Sequence, residues 1–118
     1  MVSKLLLLVD DEPALLELLK KYLERLGYQV DAYLSAEDAL AQFDADPTRY
    51  ALVLTDLTLP GLGGEEMIDR MRARHPALRA IISSGYPYVP RSKKILFLQK
   101  PYVPKMLAEM IETLIGPA

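Results

Sequence analysis

Cysteine is absent from the chain. Disulfides and cysteine-ligated metal centres are therefore excluded, and the redox compartment is left undetermined. Positive charge is not in excess. Fourteen Lys and Arg stand against 16 Asp and Glu, a net charge of −2, so the basic footprint of a nucleic-acid binder is missing. No block of like charges marks a tail. Long apolar runs are missing too. Leu5 to Val9 is too short for a signal-peptide core, and Asp10, Asp11 and Glu12 follow it at once. No stretch approaches the about 20 apolar residues that span a bilayer. These absences lead to the expectation of a soluble, cytoplasmic chain. Its 118 residues suit one domain, 1–118, and 51% apolar content is enough to bury a core.

What is present alternates. Lys4 to Val9 is an aliphatic run without period-2 alternation, as in a strand buried on both faces. Pro13 suits a first helical turn. Leu15, Leu16, Leu19, Tyr22, Leu23 and Leu26 then recur at helical spacing, and Gly27 is a helix stop. Tyr28 to Tyr33 reads as a second strand. Ser35 with Asp38 resembles a capping box ahead of a short helix faced by Ala36, Ala39, Leu40 and Phe43. Asp44 to Tyr50 reads as a polar loop. Leu52 to Asp56 is a third strand, broken by Pro60 and Gly61. Glu65 and Glu66 suit the N-terminus of a helix whose apolar face is Met67, Ile68 and Met71. Ala80 to Ser84 is a fourth strand and Ile95 to Gln99 a fifth. Pro104 opens a last helix with Val103, Met106, Leu107, Met110, Ile111 and Leu114 on its face. This order predicts an α/β fold, a doubly wound parallel sheet of five strands with helices on both faces.

In such a sheet, ligands bind outside the carboxyl ends of the strands. Asp10 and Asp11 follow the first strand, Asp56 ends the third, Ser84 ends the fourth and Lys100 follows the fifth. Five functional groups from four strands should meet on one edge. Carboxylates at close range repel unless a cation intervenes. A hard cation with oxygen ligands, Mg²⁺ above all, suits a site with few carboxylates and a phosphate-bearing substrate. A carboxylate nucleophile, a divalent metal, an ammonium and a hydroxyl together make a phosphoryl-transfer site, with Asp56 attacking phosphorus.

Val9-Asp-Asp-Glu12, Asp56-Leu-Thr-Leu-Pro60-Gly61 with Gly64, Ser84-Gly85 and Lys100-Pro101 resemble the motifs of two-component response-regulator receiver domains, the CheY-like family. The resemblance covers almost the whole chain and keeps the motif order. It implies a flavodoxin-like sheet of strand order 2-1-3-4-5. It implies that Asp56 is the phosphoacceptor, charged by a histidine kinase or histidine phosphotransfer domain. Asp11 matches the direct Mg²⁺ ligand, Asp10 its neighbour acting through water, and Thr58 the residue whose backbone carbonyl completes the set; Mn²⁺ would serve there too. Lys100 matches the family's lysine, and Pro101 a proline often preceded by a cis bond. Ser84 matches the switch hydroxyl and Phe97 the switch aromatic, which relay phosphorylation to the surface of the fourth helix, fifth strand and fifth helix. Such a domain catalyses its own phosphorylation and dephosphorylation, yet it is mainly a signalling part. Direct nucleic-acid binding and a membrane segment are not implied, and dimerisation is left open.

Several of these residues have plainer readings. Asp10 and Asp11 could cap the helix at Pro13, and Asp56 could start a turn. Ser83 competes with Ser84 for the hydroxyl role; Gly85 beside Ser84 favours the latter. Phe97 could be core, Lys100 a solvated strand-end lysine, and His75 reads as surface. Tyr86, Tyr88 and Tyr102 cluster at the same edge, lining a partner surface or packing the loop. One departure from the family pattern is plain. Only 16 positions separate Ser84 from Lys100, and Pro87 and Pro90 fall in the nine residues Tyr86–Lys94. A fourth helix there should be short, distorted or absent. This shortened connection and the run Phe97 to Tyr102 most resemble receivers attached to hybrid sensor histidine kinases. An aspartyl-phosphate phosphatase would place a second acid where Thr58 stands. A dinucleotide-binding domain would need G-x-G-x-x-G, which Gly61, Gly63 and Gly64 do not supply. The remaining alternative is a receiver-fold interaction module that is not phosphorylated.

Overall fold

The aliphatic run at the start of the chain becomes an interior strand of a sheet. The computed structural model describes residues 4–118, so the first three residues of the expected domain lie outside the described residues. β1 is Leu5–Val9, α1 Pro13–Arg25, β2 Gln29–Tyr33 and α2 Ala36–Ala45. A single 3₁₀ turn, Pro47–Arg49, leads into β3, Tyr50–Asp56. α3 is Gly64–Arg74, β4 Arg79–Ser84, β5 Ile95–Gln99 and α4 Pro104–Ile115. The five strands form one parallel sheet in the order β2-β1-β3-β4-β5. This is the expected flavodoxin-like order, and its topological switch point lies between β1 and β3.

Each central strand is buried on both faces, which is why its sequence does not alternate. One layer packs Leu16, Leu19 and Leu23 of α1 and Leu107 and Ile111 of α4 against Leu6, Leu8, Leu52, Leu54, Ile81 and Leu98. The other packs α2 and α3, through Phe43, Met67, Ile68 and Met71, against Leu7, Val9, Val53, Ala80, Ile82 and Ile95. Helix ends follow the sequence signals. Pro13 and Pro104 occupy first turns, and the Ser35 hydroxyl accepts a hydrogen bond from the Asp38 N–H at 3.2 Å.

Three expectations shift in detail. Tyr50 belongs to β3 rather than to the preceding loop. It is 1% exposed, stacks on Phe43 and donates its hydroxyl to Asp31 at 2.8 Å, and these contacts extend the strand. Val103, which caps α4, and Met106 on it are about half exposed; Leu107 and Ile111 are fully buried, with Met110 and Leu114 partly buried beside them. His75 is half-buried rather than on the surface, with its Nε2 3.1 Å from the Tyr50 carbonyl.

The segment Tyr86–Lys94 contains no helix. It crosses from β4 to β5 as irregular chain and lies over α3. The Tyr88 ring packs tilted on Phe97 with centroids 6.2 Å apart. Arg91 pairs with Asp69 at 2.8 Å and with Glu65 at 3.2 Å. The family's fourth helix, expected to be short, distorted or absent, is therefore absent, and α4 occupies the place of the family's fifth.

Candidate functional site

Side chains along a strand alternate between faces. Leu6 and Leu8, Leu52 and Leu54, Ile81, and Leu98 all face α1 and α4. Continuing each alternation by two residues brings Asp10, Asp56, Ser83 and Lys100 to the same side of the same edge. The hydrogen bonds bear this out. Lys100 Nζ lies 2.7 Å from Asp56 Oδ1, 3.3 Å from Asp10 Oδ2 and 3.9 Å from Glu12 Oε1. Ser83, the register partner of Asp56 across β3 and β4, donates its hydroxyl to the same Asp56 Oδ1 at 3.2 Å. Asp10 Oδ1 accepts from the Glu12 N–H at 2.9 Å. Asp10, Asp11 and Asp56 each offer a carboxylate oxygen within 4.8 Å of the others. Asp10 and Asp56 are buried while Asp11 is exposed.

The frame around Asp56 is tight. Leu57 N–H donates to the Ser83 carbonyl at 2.8 Å, and Lys100 N–H to the Ser84 carbonyl at 2.9 Å. Thr55 Oγ1 donates to the Asp56 carbonyl at 2.9 Å. Gly64 lets the first turn of α3 close on that carbonyl; a methyl group at Gly64 would stand 2.0 Å from the oxygen. The loop from Leu57 to Gly63 turns at Gly61, whose φ of +75° favours glycine. Glu37 Oε2 reaches across from α2 to accept the Leu62 N–H at 3.1 Å. Thr58 lies exposed in this loop, two residues past Asp56. The Lys100-Pro101 bond is cis.

Electrostatics follow from burial and crowding. Burial pushes the Asp56 carboxyl above the usual aspartate range. Asp10 pushes it the same way, and the opposing pull of Lys100 does not cancel the two. Burial alone would discharge the Lys100 ammonium, but the Asp56 hydrogen bond and the Asp10 charge outweigh it and hold its pKa above the ordinary lysine value. The Tyr102 hydroxyl, buried with no hydrogen-bond partner among the described residues, is pushed up to about 12 by burial and by Asp10.

The sequence-predicted residues thus divide. Asp10, Asp11, Asp56 and Lys100 converge. Ser84 and Phe97 lie apart from them: the Ser84 hydroxyl accepts the Tyr86 N–H at 3.0 Å, and Phe97 packs with Tyr88. Ser83, the competing hydroxyl, is the one that reaches Asp56. Strand parity carried that signal, because Asp56 and Ser83 continue the same face. The Glu37 clamp on the loop left no sequence signal, since it joins residues 25 positions apart.

Fold and site together define a doubly wound α/β domain whose strand ends gather three carboxylates and a lysine. The family model described as response regulator receiver domain matches residues 6–112, and the chain belongs to that family. It is 32% identical over 117 residues to the transcriptional regulatory protein FixJ of Bradyrhizobium diazoefficiens, covering 93% of this chain and 56% of that protein. The chain spans about half the length, or less, of the curated relatives it matches. The receiver domain of the hybrid histidine kinase CckA superposes with a TM-score of 0.86 at 26% identity, over 94% of this chain and 98% of that one. The response regulator protein TrrA of Thermotoga maritima, solved in complex with Mg²⁺-BeF, superposes with a TM-score of 0.80 at 29% identity, over 94% of this chain and 98% of that one. This is accordingly a receiver domain of two-component signalling, of a family that works with histidine kinases or phosphotransfer proteins. Its acidic cluster has the donor set for a metal ion. Among the described residues, no helix is long and apolar enough to cross a membrane.

Proposed function

We propose that residues 1–118 act as one phosphoacceptor domain in a phosphorelay, with Asp56 taking a phosphoryl group from the phosphohistidine of a histidine kinase or histidine phosphotransfer domain. The observation that carries this reading is the unequal state of the two Asp56 oxygens. Oδ1 is held by Lys100 at 2.7 Å and Ser83 at 3.2 Å, whereas no hydrogen bond to Oδ2 is found among the described residues. Oδ2 is the oxygen left to attack phosphorus.

Asp11 is exposed and forms no hydrogen bond or ion pair among the described residues, which suits direct metal ligation. Asp10 already spends Oδ1 on Glu12 and Oδ2 on Lys100, which suits action through water. Asp56 and the Thr58 carbonyl complete the set. Mg²⁺, or Mn²⁺ in its place, supplies positive charge to the phosphoryl oxygens when bound. Lys100 adds a second positive charge on the same side, so charge developing in transfer meets an ammonium that is already oriented.

Ser84 and Phe97 form the readout. The Ser84 hydroxyl is free to turn toward a phosphoryl group once it gives up the Tyr86 N–H. Phe97 is coupled through Tyr88 to the Tyr86–Lys94 connection, so the message reaches the surface of that connection, β5 and α4. A net charge of −2 argues against direct contact with nucleic acid, and the half-exposed Met106 of α4 leaves dimerisation through this surface open. A histidine kinase or phosphotransfer partner supports a cytoplasmic site for the exchange.

The test is incubation with a small phosphodonor, with and without Mg²⁺, followed by intact-mass measurement. One phosphoryl group should be gained only with Mg²⁺, and none by Asp56→Asn. An unchanged mass with every donor would instead favour a receiver-fold interaction module.

A further inference from the structure

The switch hydroxyl expected at Ser84 does not touch Asp56; the hydroxyl that does is Ser83. Ser83 is 1% exposed and sits directly across the sheet from Asp56. Its Oγ donates to Asp56 Oδ1 at 3.2 Å. That is longer than the usual O–H···O range, because Lys100 holds the same oxygen more closely, at 2.7 Å.

We infer that Ser83 is a positioning residue that keeps the Asp56 phosphoryl group easy to give away. The inference rests on Asp56 being the phosphoacceptor. When Oδ2 bonds to phosphorus, Oδ1 changes from a carboxylate oxygen into the carbonyl oxygen of an acyl phosphate. The Ser83 hydroxyl faces it in both states and keeps its proton throughout. A hydrogen bond to a charged oxygen is worth about twice one to a neutral oxygen. Ser83 therefore stabilises the free carboxylate more than the acyl phosphate. When the phosphoryl group leaves, the P–Oδ2 bond breaks and its electron pair stays on the carboxylate. Phosphorus bonds to the accepting oxygen of water or nitrogen of histidine, and the proton displaced from water goes to solvent. Negative charge returns to the carboxylate during that step, where Ser83 is already aimed. The hydroxyl thus favours loss over retention, which suits a domain that passes the group on.

The experiment compares wild type, Ser83→Ala and Ser83→Cys after full phosphorylation by a small phosphodonor with Mg²⁺. The donor is removed and the phosphorylated fraction is followed by intact mass. Loss should slow by about twofold to fivefold in Ser83→Ala, in keeping with one long hydrogen bond. Ser83→Cys should fall between, because a thiol of similar size donates weakly. At limiting donor, the steady-state phosphorylated fraction should rise in the same order. A merely structural role predicts the opposite, since a loosened site slows formation and lowers that fraction. Equal or faster loss in both variants would overturn the inference while leaving Asp56 as acceptor. Failure of wild type to gain any phosphoryl mass would overturn the underlying reading instead.

Discussion

The Lys100 ammonium stands 2.7 Å from Asp56 Oδ1 and 3.3 Å from Asp10 Oδ2. Among the described residues it is thus the one cation shared by two buried carboxylates. Removing it leaves those carboxylates to repel each other and any incoming phosphoryl oxygen. Lys100→Ala should slow phosphorylation of Asp56 by about 10²- to 10³-fold, the usual effect of losing one charge-stabilising donor. Lys100→Arg should recover only part of the rate, because a planar guanidinium does not reproduce a point charge between two carboxylates. Time courses of phosphoryl incorporation by intact mass measure both. Wild-type rates in Lys100→Ala would show that the ammonium has no part in transfer.

Gly64 is there for contact, not for its backbone angle. Its φ is not positive, yet a methyl group at this position would lie 2.0 Å from the Asp56 carbonyl oxygen and 3.0 Å from Thr55 Cγ2. Backbone cannot give way as a side-chain end can. Gly64→Ala should push α3 off the end of β3 and cost about 1–3 kcal/mol, with slower phosphorylation as the Leu57–Gly63 loop moves. Thermal unfolding and the incorporation rate together check this. An unchanged melting temperature would mean that α3 shifts freely.

The fold class was legible because the strands are aliphatic runs between glycine and proline stops; their order, with β3 beside β1, was implied only by the resemblance to receiver domains. The convergence of Asp10, Asp56 and Lys100 was legible for the same reason: parallel strands put their carboxyl ends on one edge. What escaped the sequence was finer. Ser83 and Ser84 are adjacent and both polar, and which one faces Asp56 depends on strand parity counted from Ile81, a face assigned only once the helices are in place. The half-exposed Met106 of α4 looks like core by spacing alone. Tyr50 reads as loop until Phe43 and Asp31 are seen to hold it. The missing helix was foreseen from Pro87 and Pro90, but not what replaces it, because the Arg91 and Tyr88 contacts are long-range.

Those contacts make separable contributions. Arg91 pairs with Asp69 and Glu65 in the open, at 55% side-chain exposure. Tyr88 lays its ring on Phe97 and packs against the α3-side core. Exposed ion pairs are worth about 0.2–1 kcal/mol, and a half-buried aromatic about 1–2 kcal/mol, less than the full-burial cost. Tyr88→Ala should therefore destabilise more than Arg91→Ala. The Tyr88 hydroxyl has no well-formed hydrogen bond among the described residues, though Glu65 and Arg91 lie beside it, so Tyr88→Phe should cost far less than Tyr88→Ala. Hydrogen exchange across Tyr86–Lys94 should quicken in Tyr88→Ala but not in Tyr88→Phe. A larger loss from Arg91→Ala would reverse the ranking.

Asp56 itself should be a liability to the unliganded fold. Burial first, then Asp10, raises its pKa above that of an unfolded aspartate, about 3.9. The folded state therefore takes up this proton at higher pH than the unfolded state does. Stability from this group is full below about pH 3.9 and is lost as pH rises through the folded value. Above the folded value the ionised carboxylate remains as a buried charge repelled by Asp10. Asp56→Asn keeps the shape and removes the charge, so without divalent metal it should melt higher than wild type at neutral pH. The gap should close as pH falls through that window, because wild-type Asp56 becomes protonated. Mg²⁺ should narrow the gap from the other side, raising the melting temperature of wild type more than that of Asp56→Asn. Thermal melts of both proteins across pH, with chelator and then with Mg²⁺, measure each part. A metal-free wild type more stable than Asp56→Asn at neutral pH would mean that the Lys100 ion pair outweighs burial.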